Sequence, residues 1–463
     1  MENQKGHVLV LPYPAQGHIN PLLQFAKRLA SKGLRATLAT THYTIGSIKA
    51  ERVHVEPISD GFDEGGYKQA PSTQAYVESF RRVGSKTLSE LISKSYETEH
   101  PVNCIVYDSL LPWALDVAKT FGIYAAVLLT NSASVCSLFW YIHQGRLTSP
   151  LCPDALPIVL PGLPLLEFSD LPSFLAYPES QSAYLALIME KFARLEENDW
   201  VFCNSFEELE AELVKALFGI WPLAMVGPLV PSAYVDRQID GDTSYGGSLW
   251  NPTSDQCSRW LDKRPLGSVI YVSFGSMGNI SSDQVEEIAF GLKATNKHFI
   301  WVLKDFEHKL KSPIQFLDSI QNRGLVVEWC DQLEVLAHRA VGCFVTHCGW
   351  NSTLEGLSLG MPMVGVPLWS DQATNAKFLE EKWRVGLRAR KGEQGTVTRE
   401  EVEMCVREVV EGERSEEFKK NALNWKDRAK RAVSKGGSSD KNLGEFVAKI
   451  REGGGKMPRE TMI

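Results

Sequence analysis

A chain of 463 residues with 49 basic and 56 acidic side chains carries a formal net charge of −7. That balance excludes the basic nucleic-acid-binding classes, which gather Lys and Arg on one face. A content of 44% hydrophobic and 23% charged residues excludes a disordered or fibrous chain. The length suits two domains, and no apolar run reaches the roughly 20 residues that span a bilayer. Nine cysteines, an odd number with no C-x-x-C pair, fit reduced thiols in the cytoplasm.

The opening MENQKGHVLVLPYPAQ has neither a basic n-region nor a small-residue cleavage site, so His7 to Pro12 reads as a first strand and not as a signal peptide. A helix over 20–31 follows, with Pro21 in its first turn and Gly33 past its end. Further strands are expected over 36–41, 103–107, 124–129 and 200–203, and helices over 74–93, 112–120 and 182–195. A polar stretch at 232–252, SAYVDRQIDGDTSYGGSLWNP, reads as a linker. Beyond it, strands at 268–274, 298–303, 324–328, 343–346 and 363–366 alternate with helices at 282–295, 332–340, 352–359, 373–382 and 399–411. Such alternation predicts an α/β chain of two doubly wound, Rossmann-like domains, 1–231 and 253–439, facing each other across a cleft. The last helix is expected over 440–452, and 453–463 reads as a disordered tail.

The segment Trp329 to Gln372, WCDQLEVLAHRAVGCFVTHCGWNSTLEGLSLGMPMVGVPLWSDQ, is the most informative. In it a strand runs straight into a helix start, and a helix N-terminus is an anion site because unpaired amides and the dipole face outward there. An aromatic platform (Trp329), an acid in the first helical turn (Glu355) and a terminal Asp371-Gln372 pair surround it. Cradle, platform and hydroxyl-binding groups together suggest a sugar nucleotide. Ser352 and Glu355 also fit a capping box, which would account for both with no ligand, and Trp329 taken alone could be core. Upstream, the turn Tyr13-Pro14-Ala15-Gln16-Gly17-His18 follows the first strand at the edge where open α/β sheets bind ligands. It is not G-x-G-x-x-G, which disfavours dinucleotide chemistry. His18 there suits a general base or a plain helix-entry residue. Asp108, ending a strand, suits an orienter of that imidazole or a turn residue. Asp240-Gly241-Asp242 resembles a D-x-D metal motif but lies in the linker, and Cys343, His347 and Cys348 fit no common zinc spacing. No metal or cofactor is expected.

The box resembles the signature of plant family 1 UDP-sugar glycosyltransferases in its length and its order W…Q…HCGWNS…E…DQ. Asp331 and Arg339 stand where that family often has Pro. The resemblance implies a GT-B fold whose last helix crosses back onto the first domain. It implies that His18 deprotonates the acceptor and Asp108 orients it. It places Ser276, His347, Asn351 and Ser352 on the diphosphate, Glu355 on the ribose, Trp329 and Gln332 on the nucleoside, and Asp371 and Gln372 on the sugar. Gly17, Cys330 and Trp350 complete the donor set. The expected reaction is inverting transfer from UDP-glucose to a small apolar acceptor, such as a steroid, triterpenoid or phenolic. Tyr13, Leu110, Leu111, Trp113, Phe139 and Trp369 are the candidates for the acceptor pocket. Glucose esters of small carboxylic acids are the alternative product, and a catalytically silent UDP-sugar sensor is a rival from another class. The enzyme is expected to be a cytoplasmic monomer.

Overall fold

Seven short runs, β1 (His7–Leu11), β2 (Arg35–Thr41), β3 (His54–Ile58), β4 (Cys104–Asp108), β5 (Tyr124–Leu129), β6 (Trp200–Cys203) and β7 (Leu223–Met225), form one sheet in the computed structural model. Its order is β3-β2-β1-β4-β5-β6-β7, with every pairing parallel. β1 and β4 are buried at every position, as parallel strands covered on both faces must be, and so they read as near-continuous apolar runs. A second parallel sheet has the order β10-β9-β8-β11-β12-β13. Its strands are β8 (Val269–Ser273), β9 (His298–Val302), β10 (Gly324–Val327), β11 (Val341–Thr346), β12 (Met363–Gly365) and β13 (Gly386–Arg388). Both sheets reverse direction of winding once, between β1 and β4 in the first and between β8 and β11 in the second. Ligands of doubly wound sheets bind outside the carboxyl ends of the strands at that point.

The structure describes residues 6–148, 151, 156–221, 223–250, 253–276 and 280–452, so the tail expected at 453–463 lies outside it. The described residues fall into two units. One gathers those within Met1–Glu167, Phe174–Leu249 and Arg431–Ile463, the other those within Phe168–Ser173 and Trp250–Lys430. In the first, the helix Ser438–Glu452 buries Leu443, Phe446, Val447 and Ile450 against Val8, Val10, Phe25 and Phe202.

The linker reading of 232–252 needs correction. Residues 232–249 belong to the first unit, and Asp242 is only 5% exposed. Its carboxylate takes Lys27 Nζ (2.9 Å), Gln24 Nε2 (2.6 Å) and the Ser232 amide (2.7 Å), while Asp236 takes Arg28 (3.0 Å) and Ser232 Oγ (2.6 Å). Asp236 and Asp242, read as part of a linker, are instead partners of basic side chains on the helix Gln16–Ser31. Three further differences are local. The helix expected over 74–93 is broken by a π-helical turn, Phe80–Gly84, where a Cβ on Gly84 would lie 2.7 Å from the Phe80 ring. The helix Ala133–His143 was not expected, because it is buried almost all round and has no amphipathic period. The short strands β3, β7 and β13 were not expected either.

Candidate active site

In the first unit the helix after β1 starts at Gln16, four residues before its expected start at 20. Ala15 is its extended N-cap, and the His18 and Ile19 amides both bond Ala15 O at 2.9 Å. His18 therefore sits in the first helical turn, held by backbone geometry and not in a loop. β4 lies beside β1 in register, so Asp108 at its end comes level with that turn. His18 Nδ1 is 2.7 Å from Asp108 Oδ2, with Asp108 wholly buried and the imidazole one-fifth exposed. The other carboxylate oxygen accepts the Leu110 amide at 2.9 Å. Thr130 Oγ1, after β5, stands 3.3 Å from His18 Nδ1. A carboxylate receiving Nδ1–H fixes the tautomer that leaves Nε2 as the basic nitrogen.

Around this pair, Tyr13 meets His18 edge-on at 5.5 Å and Tyr76 at 6.2 Å. Tyr76 packs on Phe80, and Phe80 on Trp113 at 5.4 Å. Leu111 is buried, Leu110 is half-buried, and Phe139 stacks on Phe192 at 6.0 Å. Trp369 alone of the acceptor candidates lies in the second unit. Gly17 occupies the second position of the His18 helix. Gln16, which sequence reasoning passed over, clamps a distant strand of backbone: its Nε2 donates to Gly247 O (2.8 Å) and its Oε1 accepts the Leu249 amide (2.9 Å).

In the second unit β11 delivers His347, Cys348 and Gly349 to the helix Trp350–Leu359, whose N-cap is Gly349. The capping-box reading is thereby overturned. Ser352 is the third helical residue and Glu355 the sixth, beyond the first turn where it was expected. The turn is reached through Cys348 at φ +61°, a conformation sequence does not announce. Gln332 takes up both side chains instead, donating from Nε2 to Ser352 Oγ (2.9 Å) and to Glu355 Oε2 (2.6 Å). Tyr271 Oη donates to Gln332 Oε1 at 3.3 Å, so the amide is oriented from both ends. Asp331, one of the two departures from the family, caps the helix Gln332–Ala337 by accepting the Glu334 amide at 3.1 Å.

Burial holds the His347 imidazole down at about 4, so at neutral pH it offers an N–H and no charge. Two glycines make its place: a Cβ at Gly275 or Gly349 would stand 2.7 or 2.4 Å from Nε2. Ser276 is half-buried in the turn after β8. Trp350 buries its ring against Trp383 at 6.1 Å, and Cys330 is buried with Sγ 3.5 Å from Tyr271 Oη. The half-buried Trp329 ring packs on Trp250 at 4.6 Å, with Lys304 Nζ 4.9 Å from its centroid, and its carbonyl accepts both the amide and the hydroxyl of Thr253 at 2.9 Å. After β12, Asp371 stands at the N-terminal boundary of the helix Gln372–Lys377, and Gln372 Oε1 accepts the Leu368 (2.9 Å) and Trp369 (3.0 Å) amides. Asn375 joins the two turns, donating to Cys348 O and to Asp371 Oδ2, both at 3.0 Å. Neither Asn375 nor Trp250 carried a sequence signal strong enough to single it out.

With that geometry in place, comparison with known proteins decides the family. A Siraitia grosvenorii protein named mogroside I-E synthase is 44% identical over 98% of this chain and 100% of its own length. The chain belongs to the plant family 1 UDP-glycosyltransferases. The family pattern described as "UDP-glucoronosyl and UDP-glucosyl transferase" matches residues 209–429, and that described as "Glycosyltransferase, N-terminal domain" matches 5–58. An Arabidopsis thaliana flavonol 7-O-beta-glucosyltransferase is also 44% identical, over 97% of this chain and its full length. The crystal structure of Os79 from O. sativa in complex with UDP superposes with a TM-score of 0.91 at 40% identity, over 96% of this chain and 100% of that one. As a UDP-glycosyltransferase, the chain has the GT-B type of fold, built on two Rossmann-like parallel sheets.

Proposed function

We propose that this UDP-glycosyltransferase transfers glucose from UDP-glucose, with inversion, to a hydroxyl of a small apolar acceptor, giving a β-O-glucoside. The observation that carries the reading is the 2.7 Å contact of His18 Nδ1 with a wholly buried Asp108 carboxylate. A UDP-sugar sensor has no use for an oriented base. His18 Nε2 takes the acceptor's hydroxyl proton as that oxygen forms its bond to the anomeric carbon. The bond from that carbon to the diphosphate oxygen breaks on the opposite face, and UDP leaves with the electron pair. Asp108 stabilises the imidazolium so formed. Charge growing on the diphosphate is met by the start of the helix Trp350–Leu359, by Ser276, Asn351 and Ser352, and by the neutral imidazole of His347. Glu355 and Gln332 take the ribose and base, Trp329 stacks on uracil, and Asp371 with Gln372 reads the sugar. Fixed dipoles fill the role a metal would otherwise have, so activity should survive EDTA.

The names of two relatives, mogroside I-E synthase and flavonol 7-O-beta-glucosyltransferase, support an acceptor with an apolar body and a free hydroxyl for this chain. The aromatic series from Tyr13 to Trp113 beside His18 suits such a body. A cytoplasmic site of action fits the odd count of nine cysteines with no C-x-x-C pair. Incubation with UDP-glucose, UDP-galactose and UDP-glucuronate against triterpenoid, steroid and flavonol alcohols, read by mass spectrometry, tests the proposal. A hexose increment from UDP-glucose on an alcohol supports it. Tight UDP binding with no product on any acceptor would favour the sensor.

A further inference from the structure

Six residues of the N-terminal half, Phe168–Ser173, belong to the second unit although the chain on either side of them belongs to the first. They are fixed there by buried charge. Asp170, 4% exposed, pairs through Oδ1 with Arg388 Nη1 (2.5 Å) on β13 and through Oδ2 with Lys377 Nζ (3.0 Å) at the end of the helix Gln372–Lys377. Its carbonyl accepts Thr374 Oγ1 at 2.6 Å, and the Ser169 carbonyl accepts Arg388 Nη2 at 2.6 Å. Ser173 makes the decisive contacts. Its amide donates to Ser370 O and its Oγ accepts the Ser370 amide, both at 2.8 Å.

Ser370 has φ +59°, a left-handed conformation that a residue with a side chain adopts only when its surroundings compel it. It is the residue directly before Asp371 and Gln372. Ser173 therefore closes a two-bond clasp on the one strained residue of the turn that presents both groups assigned to the sugar, and Asp170 bolts the clasp to the helix that follows. We propose that Ser173 and Asp170 are positioning residues that set donor-sugar recognition through Asp371 and Gln372. This rests on the donor reading given above. Without the clasp Ser370 relaxes toward negative φ, and the side chains after it leave the sugar while the nucleotide contacts at Trp329, Gln332 and Glu355 stay in place.

The test is calorimetric binding of UDP and of UDP-glucose to the unaltered protein, Ser173→Ala, Ser173→Thr and Asp170→Asn, each first shown to be folded by its thermal transition. Ser173→Ala and Asp170→Asn should keep UDP affinity within about twofold and lose about tenfold for UDP-glucose. Ser173→Thr, which retains the hydroxyl, should restore most of that loss. A parallel loss of both ligands, or no loss of either, overturns the proposal in favour of a purely structural role. Unaltered protein that binds neither ligand would overturn the donor reading itself, and this proposal with it.

Discussion

Asp108 shows how little freedom the reacting groups have. One of its oxygens is spent on the Leu110 amide and the other on His18, and no part of it reaches solvent. Asp108→Asn would turn an amide N–H toward Nδ1, moving the imidazole proton to Nε2 and abolishing the base. We expect Asp108→Asn and His18→Ala each to lower kcat on an alcohol acceptor by about 10²–10⁴-fold, with donor KM little changed, in initial-rate assays at pH 7. On the donor side, Gly275→Ala brings a Cβ to 2.7 Å from His347 Nε2 at a residue whose φ is +73°. The imidazole must move, so UDP affinity by titration should fall about tenfold, the loss of one good hydrogen bond. Most of these groups could be read from the sequence, since Q-G-H, H-C-G-W-N-S and D-Q name them in order. What could not be read was their local geometry. Left-handed Cys348 and Ser370 shift where helices begin, and that shift undid the capping box at Ser352 and Glu355.

At the scale of elements, long apolar segments with a clear period were read well: helices 282–295 and 399–411 have the bounds their patterns predicted. Most short strands were placed too, but three were not: β7, β13 (Gly386–Arg388) and β3, with Pro57 inside it, have no period to display. The stretch 232–249 misled for another reason. Asp236 and Asp242 in it are buried counter-ions, and partner identity is invisible in one sequence. Asp242→Ala would strand Lys27, whose side chain is 10% exposed, as an unpaired buried charge. That should cost about 3–5 kcal/mol in urea denaturation. Phe446→Ala removes a fully buried ring that meets Trp200 at 4.9 Å and Phe202 at 5.2 Å. About 3–5 kcal/mol is expected there also.

Across the whole molecule the same winding is used twice, and in each unit the assigned chemistry gathers where the winding reverses. His18 follows β1 and Asp108 ends β4, while Ser276 and His347 follow β8 and β11. No described helix is long and apolar enough to cross a membrane. Acid stability should show two buried imidazoles. His7, bonded to His100 O and Thr37 Oγ1 at 2.8 Å, is held by burial at about 4, as is His347. Above pH 6.5 both are neutral folded or unfolded and contribute no pH dependence. As pH falls from about 6.5 to 4 the unfolded chain takes up protons that the folded state refuses. Stability should then drop by about 1.4 kcal/mol per pH unit for each histidine, and His7→Gln should remove one proton from that slope. The central claim is glucosyl transfer driven by an oriented base, and one measurement addresses it: mass spectrometry of a triterpenoid or flavonol alcohol incubated with UDP-glucose and either the unaltered protein or His18→Ala. The account predicts a single hexose increment with the unaltered protein and at most about a hundredth of it with the variant. Equal product from both would contradict it.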